Sequence, residues 1–207
     1  GTVHSELLRR PGKLYVLASH FHPDHFNKEV LQWREQRPDI IYIFSKDILR
    51  HRRAQKEDAV WLKKGEEYKD ETLSVRAFGS TDVGVSFLLQ ASGKKIFHAG
   101  DLNNWHWMDE STEAEWKGAE KNFLHELDDL YAYTPEVDVA MFPVDPRLGK
   151  EYMRGAGQFV TKIKTHIFVP MHFTPEYAKA NAFRDFAEAH GVRFVSLTHR
   201  GQKIEIE

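Results

Sequence analysis

The sequence predicts a layered α/β fold with helices outside β-sheets. Two observations carry this. Short β-branched or aliphatic runs alternate with amphipathic stretches along the chain. Three runs in the middle, residues 72–78, 85–91 and 95–98, are separated by glycine-containing turns, as in an antiparallel meander. No internal repeat, low-complexity tract or Pro/Gly/Ser linker divides the 207 residues, a length that suits one domain with a sizeable core.

The elements follow in order. Residues 5–10 read as helical, and residues 14–18 as a buried strand that runs into a histidine-rich loop. Asn27 can cap a helix reaching Gln36, which Pro38 ends. Residues 40–44 form a second buried strand, and Ser45 can cap a short helix over residues 46–53. After the meander, Thr112 to Glu115 is a T-x-x-E capping box. It opens a long helix whose Trp116, Ala119, Phe123, Leu127 and Leu130 recur at three- and four-residue spacing as one buried face. A strand over 137–142, a helix over 150–164, a strand over 166–169, a helix over 175–189 ended by Gly191, and a strand over 193–197 complete the chain.

Composition removes several function classes. There is no cysteine, which excludes disulfides, thiolate nucleophiles and thiolate metal ligands together. The balance of 29 Lys+Arg against 31 Asp+Glu argues against a protein built to grip nucleic acid. No apolar run approaches the roughly 18 residues of a membrane span, so a cytoplasmic protein without membrane attachment is expected. With 12 histidines and no cysteine, any transition-metal site must use imidazole and carboxylate.

The chemistry is concentrated after the first strand, in Ser19-His20-Phe21-His22-Pro23-Asp24-His25. Residues two apart in extended backbone point the same way, so His20 and His22 project together, and Pro23 keeps His22 out of helical geometry. Asp24 and His25 turn into the next segment with a second set of donors. Three imidazoles and a carboxylate within six residues suit zinc, manganese or iron.

The arrangement His20-x-His22-x-Asp24-His25 resembles the signature of the metallo-β-lactamase superfamily of metal-dependent hydrolases. Phe97-His98-Ala99-Gly100-Asp101 resembles that family's strand-then-Gly-Asp element, and Pro170-Met171-His172 its late strand-then-His element. The resemblance spans most of the chain, from Leu14 to the end. It implies a four-layer αββα sandwich, with metals at one edge of its two sheets. It implies His20, His22, Asp24, His25, Asp101 and His172 as ligands of one or two divalent ions, zinc first and manganese or iron as alternatives. Asp101 would bridge, and Asp24 would also hold and orient the attacking water.

Two departures stand out. The family's Gly-His-Thr turn reads Gly79-Ser80-Thr81-Asp82-Val83-Gly84 here, with Ser80 where the third histidine would be. Asp82 can substitute, water can fill the position, or that ion is weak or absent. The family also places sheet strands before the histidine motif, whereas only thirteen residues precede Leu14. Either those strands are missing or another chain, such as a second copy, covers the exposed edge.

Other residues fall near the predicted edge. Leu102-Asn103-Asn104-Trp105-His106-Trp107 follows Asp101. Asn103 can bind substrate oxygens and Trp105 can cover an apolar or ring-shaped ligand. Asp145 and Arg147 follow the strand over 137–142, and Arg147 can bind an anionic group. His98 suits a supporting place better than a ligand. His106 is a weaker ligand candidate. His4, His51, His125, His190 and His199 lie in charged or helical surroundings, and the run Arg50-His51-Arg52-Arg53 suits a solvated face. The expected activity is metal-dependent hydrolysis of a small-molecule lactone, ester or phosphodiester, nearest to the lactonase-like branch. The alternatives are a metal-binding protein of this fold with little or no turnover, and a nuclease-like phosphodiesterase.

Overall fold

A computed structural model describes residues 5–205; His4 therefore lies outside the described residues. Helix α1 (Ser5–Leu8) precedes strands β1 (Tyr15–Ala18) and β2 (Ile41–Ser45), helix α2 (Lys46–Arg50), and strands β3 (Val60–Leu62), β4 (Glu67–Lys69), β5 (Ser74–Phe78), β6 (Ser86–Ala91) and β7 (Lys94–His98). Helix α3 (Glu113–Tyr133), strand β8 (Glu136–Pro143), helix α4 (Arg154–Lys162), strand β9 (Lys164–Met171), helices α5 (Tyr177–Asn181) and α6 (Arg184–Ala189), and strand β10 (Arg193–Phe194) follow.

The strands form two sheets. One is β1-β2-β3, all parallel; the other runs β10-β9-β8-β7-β6-β5-β4. In the larger sheet β7 through β10 are parallel and β4 through β7 antiparallel, which is the predicted meander. Ile43 and Leu62 of the small sheet pack on Val75, Ala77 and Phe87 of the large one, so the sheets face each other. The outer face of the small sheet carries Tyr42 and Phe44 against Leu8, Phe26 and Ile48 of α2. The outer face of the large sheet is covered by α3, α4 and α6 through Phe123, Leu127, Leu130, Phe159 and Ala187. This is the four-layer αββα sandwich. Fully burying each such Leu or Phe side chain contributes roughly 1.5–3 kcal/mol. Three strands cannot cover seven, and Val139 and Ile167 pack instead with Val195, Leu197 and Ile204 of the C-terminal segment.

Several elements differ from expectation. Lys28–Glu35 is a 3-10 helix, still capped by Asn27, whose side chain accepts from Glu29 N. Val30 and Trp33 eclipse at the three-residue period of that helix, and both pack on the small-sheet core. The helix expected over 150–164 covers only Arg154–Lys162, and residues 146–151 ahead of it form 3-10 turns with a kink at Gly149 (φ 82°). The one expected over 175–189 is two helices, α5 and α6, with fully buried Phe183 between them. Trp116 is half-buried, and Phe123, Leu127 and Leu130 carry the helix face. Strands β3 and β4 were not anticipated; each has three residues and charged neighbours, too little for a period-two signal.

Candidate metal centre

The parallel strands β7, β8 and β9 end at one edge, and each delivers a site residue just beyond its carboxyl end. Asp101 follows β7, Asp145 and Arg147 follow β8, and His172 follows β9 directly. From the other sheet, β1 delivers the histidine motif, and Ser19 O accepts from Val85 N at 3.0 Å, tying that motif to the head of β6. Two glycines allow this closeness. A Cβ on Gly84 (φ +77°) would lie 2.1 Å from Ser19 O and 2.5 Å from His20 Cβ. One on Gly100 (φ +56°) would lie 2.9 Å from both Ser19 Cβ and Val85 O. His172 itself has φ 62°, a left-handed backbone that turns its ring back over the strand ends.

Asp101 is the centre of the arrangement. Its Oδ2 lies 3.3 Å from His20 Nε2, while Oδ1 lies 3.1 Å from His25 Nε2 and 3.4 Å from His172 Nε2. One carboxylate thus faces two donor groups. His20, His22, Asp82 and Asp101 each offer an atom within 4.8 Å of the others, and so do Asp24, His25 and His172. Asp82 Oδ2 stands 3.7 Å from His22 Nδ1 and Asp24 Oδ2 3.6 Å from His25 Nε2.

The rings are held from behind. Ser19 Oγ lies 3.1 Å from His20 Nδ1 and 3.3 Å from His25 Nδ1, leaving both Nε2 atoms to face Asp101. Asp145 Oδ2 lies 3.0 Å from His172 Nδ1, and Arg147 Nη2 donates to that same oxygen at 2.6 Å. Burial pushes the Asp145 carboxyl up, but its hydrogen bonds to His172 and Arg147 outweigh this and hold it far below the usual carboxylate range. Burial works to lower His172, while the Asp145 bond and the Asp101 charge bring it above an ordinary histidine. Burial, then the charge of His25, lowers His20 to about 4, so its imidazole is neutral at pH 7 as a metal ligand must be.

The donor set fits divalent ions. Asp101 Oδ1 is buried with no hydrogen-bond partner among the described residues, although two imidazole nitrogens lie within 3.4 Å of it. A cation shared by those three atoms satisfies the orphaned oxygen. Burial pushes the Asp101 carboxyl up, yet the close approach of His25 and then His172 outweighs this and brings it below the usual carboxylate value.

Of the two candidates for the missing histidine, Asp82 is the one that lines the cleft beside His22. Ser80 does not line the cleft over those donors; its Oγ accepts from Asp82 N at 3.4 Å, and it lines an adjoining depression with Asn122, His125 and Glu126. The cleft, of about 370 Å³, opens over Asp24, Asp82, Asp101 and His172, with Trp105, Trp107 and Arg147 on its wall. A larger groove, about 550 Å³, lies between α3, α4 and α6 and holds none of the candidate ligands.

Asn103 does not line the cleft: it is fully buried, its Oδ1 accepts from Asn104 N, and its backbone is clasped by Thr81. Its Oδ1 sits so close to α4 that a Cβ on Gly155 would lie 2.0 Å from it. His106 is a loop anchor, buried with Nε2 3.1 Å from Glu151 O. His98 Nδ1 accepts from Gly100 N at 3.0 Å and shapes the turn before Asp101. The role of Ser19 and the pairing of Asp145 with His172 were not anticipated. Ser19 adjoins the motif, and Asp145 already stood at the right strand end, so position alone could have flagged both.

Residues 5–173 match the family model described as beta-lactamase superfamily domain. No curated protein sequence matches the chain. Among solved structures, the metallo hydrolase Igni18 from Ignicoccus hospitalis superposes with a TM-score of 0.61 at 18% identity, over 89% of this chain and 76% of that one. The metallo-beta-lactamase fold protein YhfI from Bacillus subtilis gives 0.55 at 12% identity, over 88% and 75%. The Zn(2+)-bound PqqB from Methylobacterium extorquens gives 0.52 at 15% identity, over 88% and 70%. At these identities the likeness is one of fold. Among the described residues no helix is long and apolar enough to cross a membrane.

Proposed function

Because this chain belongs to the beta-lactamase superfamily domain family, we propose that it is a metal-dependent hydrolase cleaving a lactone or ester bond of a small molecule. The observation that carries the reading is Asp101, whose two oxygens face two separate donor groups. His20, His22, Asp82 and Asp101 would hold one ion, and Asp24, His25, His172 and Asp101 a second. The donor set suits zinc first, with manganese or iron as alternatives. Divalent ions there supply Lewis-acid activation of water and of the carbonyl oxygen under attack. Asp24, whose carboxylate is largely exposed in the cleft, orients the attacking water and accepts its proton. Ser19 and Asp145 keep the imidazoles in register while charge develops.

A second reading, phosphodiester cleavage, has its own support. The rings of Phe21 and His51 stack at 3.7 Å, which sets exposed Arg50, His51 and Arg52 beside the His20–His22 segment. The third reading, a metal-binding protein of this fold without turnover, rests on the Ser80 departure.

The test is metal analysis of purified protein, followed by a lactone, ester and phosphodiester panel with zinc, manganese or iron restored. Turnover of lactones or esters that chelation abolishes supports the proposal. Full metal occupancy with no turnover of any class favours the third reading, and turnover of phosphodiesters alone favours the second.

A further inference from the structure

Three features of the cleft wall are not used by the ligand set. Arg147 Nε and Nη2 are both spent on Asp145. Its Nη1 has no acceptor among the described residues, although its side chain is 57% exposed and lines the cleft. Arg147 is also the one arginine or lysine on that wall among the described residues. The Asp145 clamp fixes the plane of the guanidinium, so its remaining donor edge is pre-oriented rather than mobile.

Beside His172 on the same wall stands Trp105, edge-on to the imidazole at 5.4 Å between centroids. Its Nε1 donates to Asp101 O, which turns the only polar atom of the indole into the backbone and leaves ring carbon for the cleft. Trp107 lies nearly parallel to Trp105, at 16° and 6.4 Å. Trp107 holds φ 43°, a left-handed backbone that costs a bulky residue on the order of 1–3 kcal/mol. Buried His106 pins the loop between the two indoles, and Trp107 O accepts from Glu110 N and Ser111 N. The fold therefore maintains a strained pair of parallel indoles next to the donor atoms.

We propose that the substrate is a small ring-bearing ester or lactone carrying an oxyanion group, its ring against Trp105 and Trp107 and its anion on the outer edge of Arg147. This deepens the hydrolase reading and rests on it. Both contacts flank His172, so they hold the bond to be cleaved over the ligand set. The oxyanion is a carboxylate or a phosphate, which share the geometry that a guanidinium edge recognises.

Metal-loaded protein titrated with benzoate, phenyl phosphate, acetate, inorganic phosphate and benzyl alcohol tests this, read by quenching of tryptophan emission and by calorimetry. An aromatic anion should bind about tenfold or more tightly than benzyl alcohol, which lacks the charge, and than acetate or phosphate, which lack the ring. Preference for benzoate or for phenyl phosphate identifies the oxyanion. Arg147→Gln, at matched and measured metal content, should cut the advantage over benzyl alcohol to about threefold or less, with Arg147→Lys intermediate. Trp107→Leu should cut the advantage over acetate or phosphate instead. Undiminished benzoate and phenyl phosphate binding in both Arg147 variants overturns the proposal, since the anion would then sit on the metals. So does benzyl alcohol binding as well as the aromatic anions. A kinetic arm separates the two levels. Turnover that is equal for neutral alkyl esters and anionic aryl esters leaves hydrolysis standing and sinks this inference. Selective binding of aromatic anions without turnover of any ester sinks the hydrolase reading, and with it the claim that the bound anion is an ester substrate, while leaving the ring-and-anion site itself standing.

Discussion

His172 Nδ1 stands 3.0 Å from Oδ2 of Asp145, a carboxylate with no solvent exposure whose two oxygens also accept from Arg147. The pairing fixes which nitrogen of His172 is turned to Asp101 and holds the ring against rotation. Asp145→Asn keeps the shape and removes the charge. It should weaken metal binding at the Asp24/His25/His172 group by about 10–100-fold, measured by competition with a chelator of known affinity. Unchanged affinity would show that Asp145 serves packing only.

The Asp82 and Ser80 positions give a paired prediction. Asp82 lines the cleft with its Oδ2 3.7 Å from His22 Nδ1, and Ser80 does not line it. Asp82→Ala should therefore lower metal stoichiometry by up to one ion per chain, whereas Ser80→Ala should leave it unaltered. Elemental analysis after dialysis against a fixed free-metal concentration decides. The reverse pattern would move the missing ligand to residue 80.

Gly84→Ala should be disproportionately damaging. The new Cβ would have to coexist with Ser19 O at 2.1 Å, in a backbone at φ +77°. The backbone strain alone costs about 1–3 kcal/mol, and relieving the clash moves the histidine motif as well. Chemical denaturation of metal-free protein should show the loss, and metal affinity should fall with it. Gly93→Ala, also at positive φ but with open space around it, should show the strain without the loss of affinity.

Acid should destabilise the metal-free fold through His98. Burial, then the charge of His25, lowers its pKa to about 4. Its Nδ1 can accept the Gly100 N–H only while deprotonated. The unfolded state binds the proton first, so this contribution is present in full above about pH 6.5 and is lost as pH falls toward 4. The amount is on the order of 3 kcal/mol. Unfolding free energy measured between those limits should drop more steeply for the native chain than for His98→Asn. Equal slopes would count against it.

Much of the fold was legible because its signals are local. The buried strands over 14–18 and 40–44 are continuous apolar runs, and the T-x-x-E box starts α3 where it was expected. The metal motif was legible for the same reason: three imidazoles and a carboxylate sit within six residues. The errors came where the deciding contact is distant. The 28–36 segment packs as a 3-10 helix on a sheet the sequence does not place beside it. Asn103 looked like a substrate contact because it follows Asp101 closely, yet Thr81 and Gly155, far along the chain, draw it inside.

The residues by themselves determined the donor types, their order along the chain and the strand ends that present them, since these follow from side-chain chemistry and short-range periodicity. Only the tertiary structure decided which donors meet. Asp82 comes within 3.7 Å of His22, Asp101 turns one oxygen to each group, and Asp145 grips His172 across 27 residues. Those choices are made by the facing of two sheets and the parallel alignment of β7, β8 and β9, which bring chain-distant strand ends within a few ångströms. No local pattern encodes that meeting.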